Sequence, residues 1–289
     1  MRRWKAILAA CLLCAAAACG GSRNNMVVQD TVKNTLRVVP EVQPRYLVTP
    51  IVEEKTSTAE DGTVLAECSY QLLTMTVENL SELSEEGAER AEQVARNFNE
   101  RMDKRMEDAL AYGRELEQMA EKAWEEGFLF LAYGDKTTAE AVLQGQIYSI
   151  RVENSSYSGG AHPNSYTDGE LFDLEMGQYI DPAQVADDPV AFQLGGTELL
   201  LAKADEQDAE IRSGYYPEYA DVISHWYDGT VLFDGEGMTV VYSPYELGPY
   251  AMGTVELKAS YEELAQLLGP GGLERLGLAE EEAQDPGGT

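Results

Sequence analysis

Gly145-Gln-Ile-Tyr-Ser-Ile-Arg-Val-Glu153 runs directly into Asn154-Ser-Ser-Tyr-Ser-Gly-Gly-Ala-His-Pro-Asn-Ser-Tyr-Thr-Asp-Gly-Glu-Leu-Phe-Asp173, and Phe172-Asp-Leu-Glu-Met-Gly-Gln-Tyr-Ile180 closes the passage. The first run is rich in β-branched and aromatic residues and reads as a strand. The last reads as a hairpin with Gly177 at its turn. Between them, Gly159-Gly160 permits backbone angles closed to other residues. Pro163 fixes its own φ and pushes His162 toward an extended conformation. The passage therefore predicts a shaped loop between two strands, presenting Tyr, Ser, His and Asn side chains. Loops of this kind on a rigid sheet often carry function.

Downstream, a helical region is expected over 190–211 and a further segment over 217–227. Strands are expected at 230–233 and 238–242, joined by Asp234-Gly-Glu-Gly237, a strong hairpin signal. A bent loop over 243–251 leads to a short strand at 253–258 and a helix at 260–268. Ser260 and Glu263 have the spacing of a capping box at the start of that helix. Residues 269–289, rich in Gly, Pro and acid, read as a disordered tail.

Upstream, 45–53 and 62–77 form a predicted antiparallel strand pair around Asp61-Gly62. Residues 84–126 are helical, with Ser81 or Ser84 as N-cap. Ala91, Val94, Ala95, Phe98, Met102 and Met106 recur at spacings of three and four. One unbroken helix would be about 60 Å long, so a break is expected near Tyr112-Gly113. Strands are then expected at 128–133 and 138–153. Strand runs mixed with helix runs predict an α+β fold rather than a wound parallel sheet. The expected arrangement is one mainly antiparallel sheet built from the strands of 138–258, packed against helices, with the N-terminal strand pair and long helix preceding it.

The chain has 289 residues and a net charge of −30. Such acidity argues against nucleic acid or an anionic membrane surface as partner and favours cationic partners. Met1-Arg-Arg-Trp-Lys5 is a basic start, followed by an apolar run over 6–15 that is too short to span a bilayer. Ala16-Ala-Ala-Cys-Gly-Gly-Ser22 then resembles a bacterial lipoprotein signal over 1–18, with Cys19 as the acylated residue. An ordinary signal peptide cut after Ala18 is the other reading. The expected location is the extracytoplasmic face of the cell membrane, reached through a lipid anchor and a tether over 19–44. Of four cysteines, only Cys68 remains in the mature chain, where it reads as a small core residue.

His162 has the chemistry of a general base or metal ligand, and equally of a hydrogen-bonder to its own loop. The second histidine, His225, is far away in sequence, and no zinc set emerges. Ser158 lies four residues from His162, but a nucleophile–base pair also needs an orienting acid and an oxyanion hole. No Gly-x-Ser-x-Gly, His-Glu-x-x-His or phosphate loop occurs. No catalytic residue, metal or cofactor is therefore expected. Tyr215, Tyr216 and Tyr219 read either as an aromatic platform for glycan or as partly buried packing.

Three passages carry a family resemblance: Tyr157-Ser-Gly-Gly-Ala-His-Pro-Asn164, Phe172-Asp-Leu-Glu-Met-Gly177, and Tyr242-Ser-Pro-Tyr-Glu-Leu-Gly-Pro-Tyr-Ala-Met-Gly253 running into a strand and Tyr261-Glu-Glu-Leu264. In this order they resemble the extracytoplasmic domain of RsiV-type anti-sigma factors, which recurs at the N-terminus of PdaC-type peptidoglycan deacetylases. The resemblance covers 128–268. The strand pair and helix over 45–127, with Asn97-Phe-Asn-Glu100, resemble the companion domain that usually precedes it. The resemblance implies a sensing or binding domain outside the membrane, directed in the anti-sigma factors at lysozyme, a cationic enzyme. The sequence departs from both families. It shows no sigma-binding segment, no spanning helix and no deacetylase domain, so proteolytic signalling and deacetylation are not expected of it.

The resulting expectation is a binding protein rather than an enzyme. Its partner would be a lysozyme-like cationic protein, or alternatively peptidoglycan. A small hydrolase using Ser158 and His162 is a distant third. The binding residues are expected to be Tyr157, Ser158, Gly159, Gly160, His162 and Asn164, joined by Tyr245 and Tyr250.

Overall fold

The computed structural model describes residues 42–128 and 131–278. The expected signal segment, Cys19, residues 19–41 of the tether and residues 279–289 of the tail lie outside the described residues.

β1 (Tyr46–Thr58) and β2 (Val64–Val77) form the expected antiparallel pair, turning at Gly62 with φ +86°. α1 (Glu85–Glu125) follows, capped by the Ser84 side chain, which accepts from Gly87 N. β3 (Tyr133–Gln144), β4 (Ile147–Tyr157), β5 (Asn164–Asp173) and β6 (Gln178–Ile180) complete a sheet of order β1-β2-β3-β4-β5-β6. Among the described strands only β2 and β3 pair in parallel, because the long α1 crossover lies between them. α2 (Pro189–Glu206), α3 (Ala209–Ser213) and α4 (Tyr219–Ser224) precede a second, three-stranded antiparallel sheet. That sheet comprises β7 (Thr230–Phe233), β8 (Gly237–Tyr242) and β9 (Val255–Ser260), and α5 (Tyr261–Arg275) ends the described chain. The fold is α+β, as expected.

Four expectations need correction. The strands of 138–258 form two sheets, not one, and the larger sheet also takes in β1 and β2. It therefore runs across the boundary drawn at 127/128. β3 starts at Tyr133, so Phe128 lies outside it, and 138–153 is a hairpin turning at Gly145, φ +60°. α1 does not break at Gly113. That glycine is buried, and a Cβ there would fall against the Tyr70 hydroxyl. Its role is to let a strand tyrosine approach the helix, and the helix continues past it. Finally, 269–278 is not a loose tail. The first stretch of α5 stops at Gly269, φ +72°, where the expected helix 260–268 ends, and a second stretch runs on across the kink to Arg275. Gln146 N then donates to Arg275 O (2.8 Å), Gln144 Nε2 donates to Leu276 O (2.7 Å), and Leu276 is fully buried.

Strand alternation sends side chains to two cores. On one face of the large sheet, Leu72, Tyr148, Ile150 and Phe172 pack with Phe98, Met102 and Leu116 of α1. Phe98 sits edge-on to Phe172, with centroids 5.3 Å apart. Cys68 is buried in this core, as the sequence suggests. The other face, from Ile147 and Leu171, meets the small sheet through Val231, Phe233 and Val240, with Phe192, Trp226 and Leu264 behind. The sheets approach closely at Gly169, where a Cβ would lie 2.8 Å from Thr230 Cγ2 and 3.1 Å from Thr230 Cα and Val231 N.

Candidate functional site

The β4–β5 hairpin ends in a tight tip over 158–163. Gly159 and Gly160 have φ of +99° and +102°, the left-handed region that favours glycine. Tyr157 braces this tip. Its hydroxyl donates to Gly160 O at 3.2 Å, and its ring stands edge-on to Tyr133. His162 Nδ1 lies 2.9 Å from Pro163 O. A carbonyl only accepts, so Nδ1 carries a proton in this contact.

The loop after β8 comes to meet that tip. Ser243 Oγ accepts from Thr167 N at 2.9 Å, and Thr230 Oγ1 donates to Thr167 O at 2.7 Å, so β5 holds both the loop base and β7. Tyr250 stacks on His162, with centroids 3.7 Å apart and ring planes 14° apart. The Tyr245 hydroxyl faces His162 Nε2 at 3.4 Å. Tyr245 has φ +77°, alone among the described non-glycine residues in being positive. A bulky residue there is strained, a pattern associated with functional sites. More than half of Tyr245 is open to solvent. His162, Tyr245 and Tyr250 thus form one platform from segments about 80 residues apart.

Ser158 and Gly159 are exposed at the tip, and Ser158 is not hydrogen-bonded to His162. Both imidazole nitrogens instead face Pro163 and Tyr245. Asn164 departs from the expected grouping. It begins β5 on the α1 side of the sheet and lines a separate cleft beside α1. Tyr215 and Tyr219 pack tilted, 5.1 Å apart, against the second core, which favours packing over an exposed platform.

Sequence reasoning missed that separate cleft, of about 470 Å³, between α1 and strands β3–β5. It contains Tyr112, read only as a helix break, and Asp135, one of many acids. Burial pushes the Asp135 carboxyl up, against the opposing pull of Tyr70 and Ser156. Burial likewise raises the Tyr70 hydroxyl and the Cys68 thiol beside it. Among the described residues, no three His, Cys, Asp or Glu side chains are grouped to hold a metal, and no helix is long and apolar enough to cross a membrane.

Two family models match the chain. Residues 79–165 match the family described as Deacetylase PdaC, and residues 206–262 match a family described as a protein of unknown function, DUF3298. The chain carries a PdaC-like and a DUF3298-like segment. His162 lies in the first, and Tyr245 and Tyr250 lie in the second, so the platform forms where the two matched segments meet. A solved structure of a DUF3298-family member from Bacteroides fragilis is similar over 81% of this chain and 98% of that one, at 18% identity and a TM-score of 0.55. It shares the fold. A DUF3298-family structure from Pseudomonas aeruginosa covers 79% of this chain and 96% of its own, at 16% identity and a TM-score of 0.47. No curated protein matches the chain.

Proposed function

We propose that this is an extracytoplasmic binding or sensing protein, held at the membrane by lipid on Cys19, whose partner is a cationic protein of the lysozyme kind. The matched families, one of them described as a deacetylase, are consistent with a module of the cell envelope. The observation that carries the reading is the platform of His162, Tyr245 and Tyr250, which two distant loops build at the surface. Exposed aromatic anchors on fixed loops are the usual centre of a protein interface. The net charge of −30 speeds encounter with a basic partner, and the platform supplies specificity.

The test is binding of the full chain, in detergent, to lysozyme and to purified peptidoglycan at several salt concentrations. Lysozyme binding is expected to weaken steeply as salt rises. Tyr245→Ala with Tyr250→Ala is expected to lower affinity at least about tenfold, roughly 1.4 kcal/mol, with little change in melting temperature. Salt-insensitive retention on peptidoglycan without lysozyme binding would replace this reading with wall-glycan binding. Correctly processed Cys19→Ala protein that stays in the membrane fraction would remove the lipid anchor.

A further inference from the structure

We propose that the cleft between α1 and strands β3–β5 is a binding site for a neutral saccharide, built around the rings of Tyr112 and Tyr166 and the polar groups of Asn154, Ser156, Asn164 and Asp135. It uses different side chains from the His162 platform and does not rest on the protein-binding reading.

The cleft exists because two patterns change together along α1. Early in the helix the sheet-facing residues are large and buried: Phe98, Met102 and Met106. At the next turn the residue facing the strands at the cleft is only Ala109, while the space at Gly113 is filled by Tyr70 and Leu116 returns to the core. On β4 the residues facing the helix run Tyr148, Ile150, Val152 and then Asn154, Ser156. On β5, read toward the hairpin tip, they run Phe172, Glu170, Asp168, Tyr166, Asn164. A small helix residue, Ala109, opposite the polar strand residues Asn154, Ser156 and Asn164 leaves a gap that water can enter, where a few residues earlier the same face makes dry core. Its volume of about 470 Å³ falls within the roughly 300–1,000 Å³ usual for small-molecule sites.

The lining decides the ligand class. Arg105, at the edge, is already engaged by Asp168 at 3.2 Å and Glu170 at 2.8 Å. Asp108 pairs with Lys104. An anion would therefore meet the carboxylate of Asp135 with no cation available in the lining. A wholly apolar ligand would bury two carboxamides, a hydroxyl and a carboxyl without partners, which is costly. A cationic side chain would find the Asp108 and Asp168 carboxylates already paired with Lys104 and Arg105 and would leave both carboxamides and the Ser156 hydroxyl unused. What fits is a neutral molecule with many hydroxyls and one apolar face. Tyr112 and Tyr166 remain 41% and 52% exposed, leaving ring surface for that face. Tyr112 is set in place by the contact of its hydroxyl with Ser156 Oγ at 2.8 Å. Thr137 Oγ1 donates to Asn154 Oδ1 at 3.1 Å, which orients that carboxamide.

Isothermal titration of the full chain with maltotriose, cellotriose and chitotriose tests the site. At least one is expected to bind saturably, with Kd in the range of about 1 mM or tighter. Tyr166→Ala should weaken that binding at least about tenfold, and Asn164→Ala should weaken it as well, with melting temperature unchanged because both residues are exposed. Tyr245→Ala should leave sugar binding intact, and Tyr166→Ala should leave lysozyme binding intact, so the two sites fail independently. Absence of saturable binding by all three sugars would overturn the proposal. So would sugar binding that neither Tyr166→Ala nor Asn164→Ala changes. Binding of hexalysine that Tyr166→Ala abolishes, without any sugar binding, would assign the cleft to cationic peptide instead.

Discussion

Gly169→Ala probes the contact that joins the two sheets. The added methyl would sit 2.8 Å from Thr230 Cγ2 and 3.1 Å from Thr230 Cα and Val231 N. Optimal carbon–carbon separation is about 3.5–4.0 Å. Rotation of Thr230 does not solve the problem, because its hydroxyl is held by Thr167 O at 2.7 Å and two of the three neighbours are backbone. The small sheet must shift by several tenths of an ångström. Overpacking of this kind costs about 1–3 kcal/mol, offset by about 0.4–1 kcal/mol from the less flexible unfolded chain. A net loss of about 1–2 kcal/mol is expected. At roughly 2–4 °C per kcal/mol for a chain of this size, the melting temperature falls by about 2–8 °C. Urea unfolding followed by circular dichroism should show a lower midpoint with unchanged m-value. Gly235→Ala is the control, since nothing lies within 4 Å of its Cβ position. It should change stability by less than about 0.5 kcal/mol or raise it slightly. A Gly169→Ala protein that melts at or above the parent temperature would refute the close sheet contact, and with it the account of how the β8–β9 loop is held beside the hairpin tip.

Asp173 is fully buried, accepts from Glu175 N and Met176 N at 2.8 and 2.9 Å, and pairs with Arg275 at 3.4 Å. Asp173→Ala should cost about 3 kcal/mol by stranding these partners, with Asp173→Asn milder; a change below about 0.5 kcal/mol in urea titration would show that the end of α5 is not anchored there. The hydrogen bond from Lys203, then those from Ser260, lower the Glu263 carboxyl from 4.5 to about 2. Because the folded value is below the unfolded one, this stabilisation is present above about pH 4.5 and is lost as pH falls toward 2. Glu263→Gln should flatten the stability–pH curve in that window, and an unchanged slope would place the acid sensitivity elsewhere.

Several local elements were legible because their signals are local. Period-two runs, Asp61-Gly62, Gly177 and Asp234-Gly-Glu-Gly237 mark strands and turns through backbone chemistry, and each stands where expected. Ser84, Ser260 and Glu263 cap helices for the same reason. Both halves of the loop motif, His162 with its glycines and Tyr245 with Tyr250, were also legible as unusual residues. Their stacking was not, because it depends on the β7–β9 sheet seating against β5. The misreadings share a cause. Gly113 and the glycines of 269–277 look like breaks in a linear reading, since glycine costs a helix about 1 kcal/mol. Gly269 does interrupt α5, with φ +72°, but all of these glycines also allow close approach to partners distant in sequence: Tyr70 at Gly113, Asp187 at Gly269 and Gly271, Gly145 at Gly277. The same holds for the two-sheet division and for the cleft at Tyr112. Alternation and capping are written in neighbouring residues, whereas which faces meet, and where small side chains leave a gap, is settled only by packing between segments many residues apart.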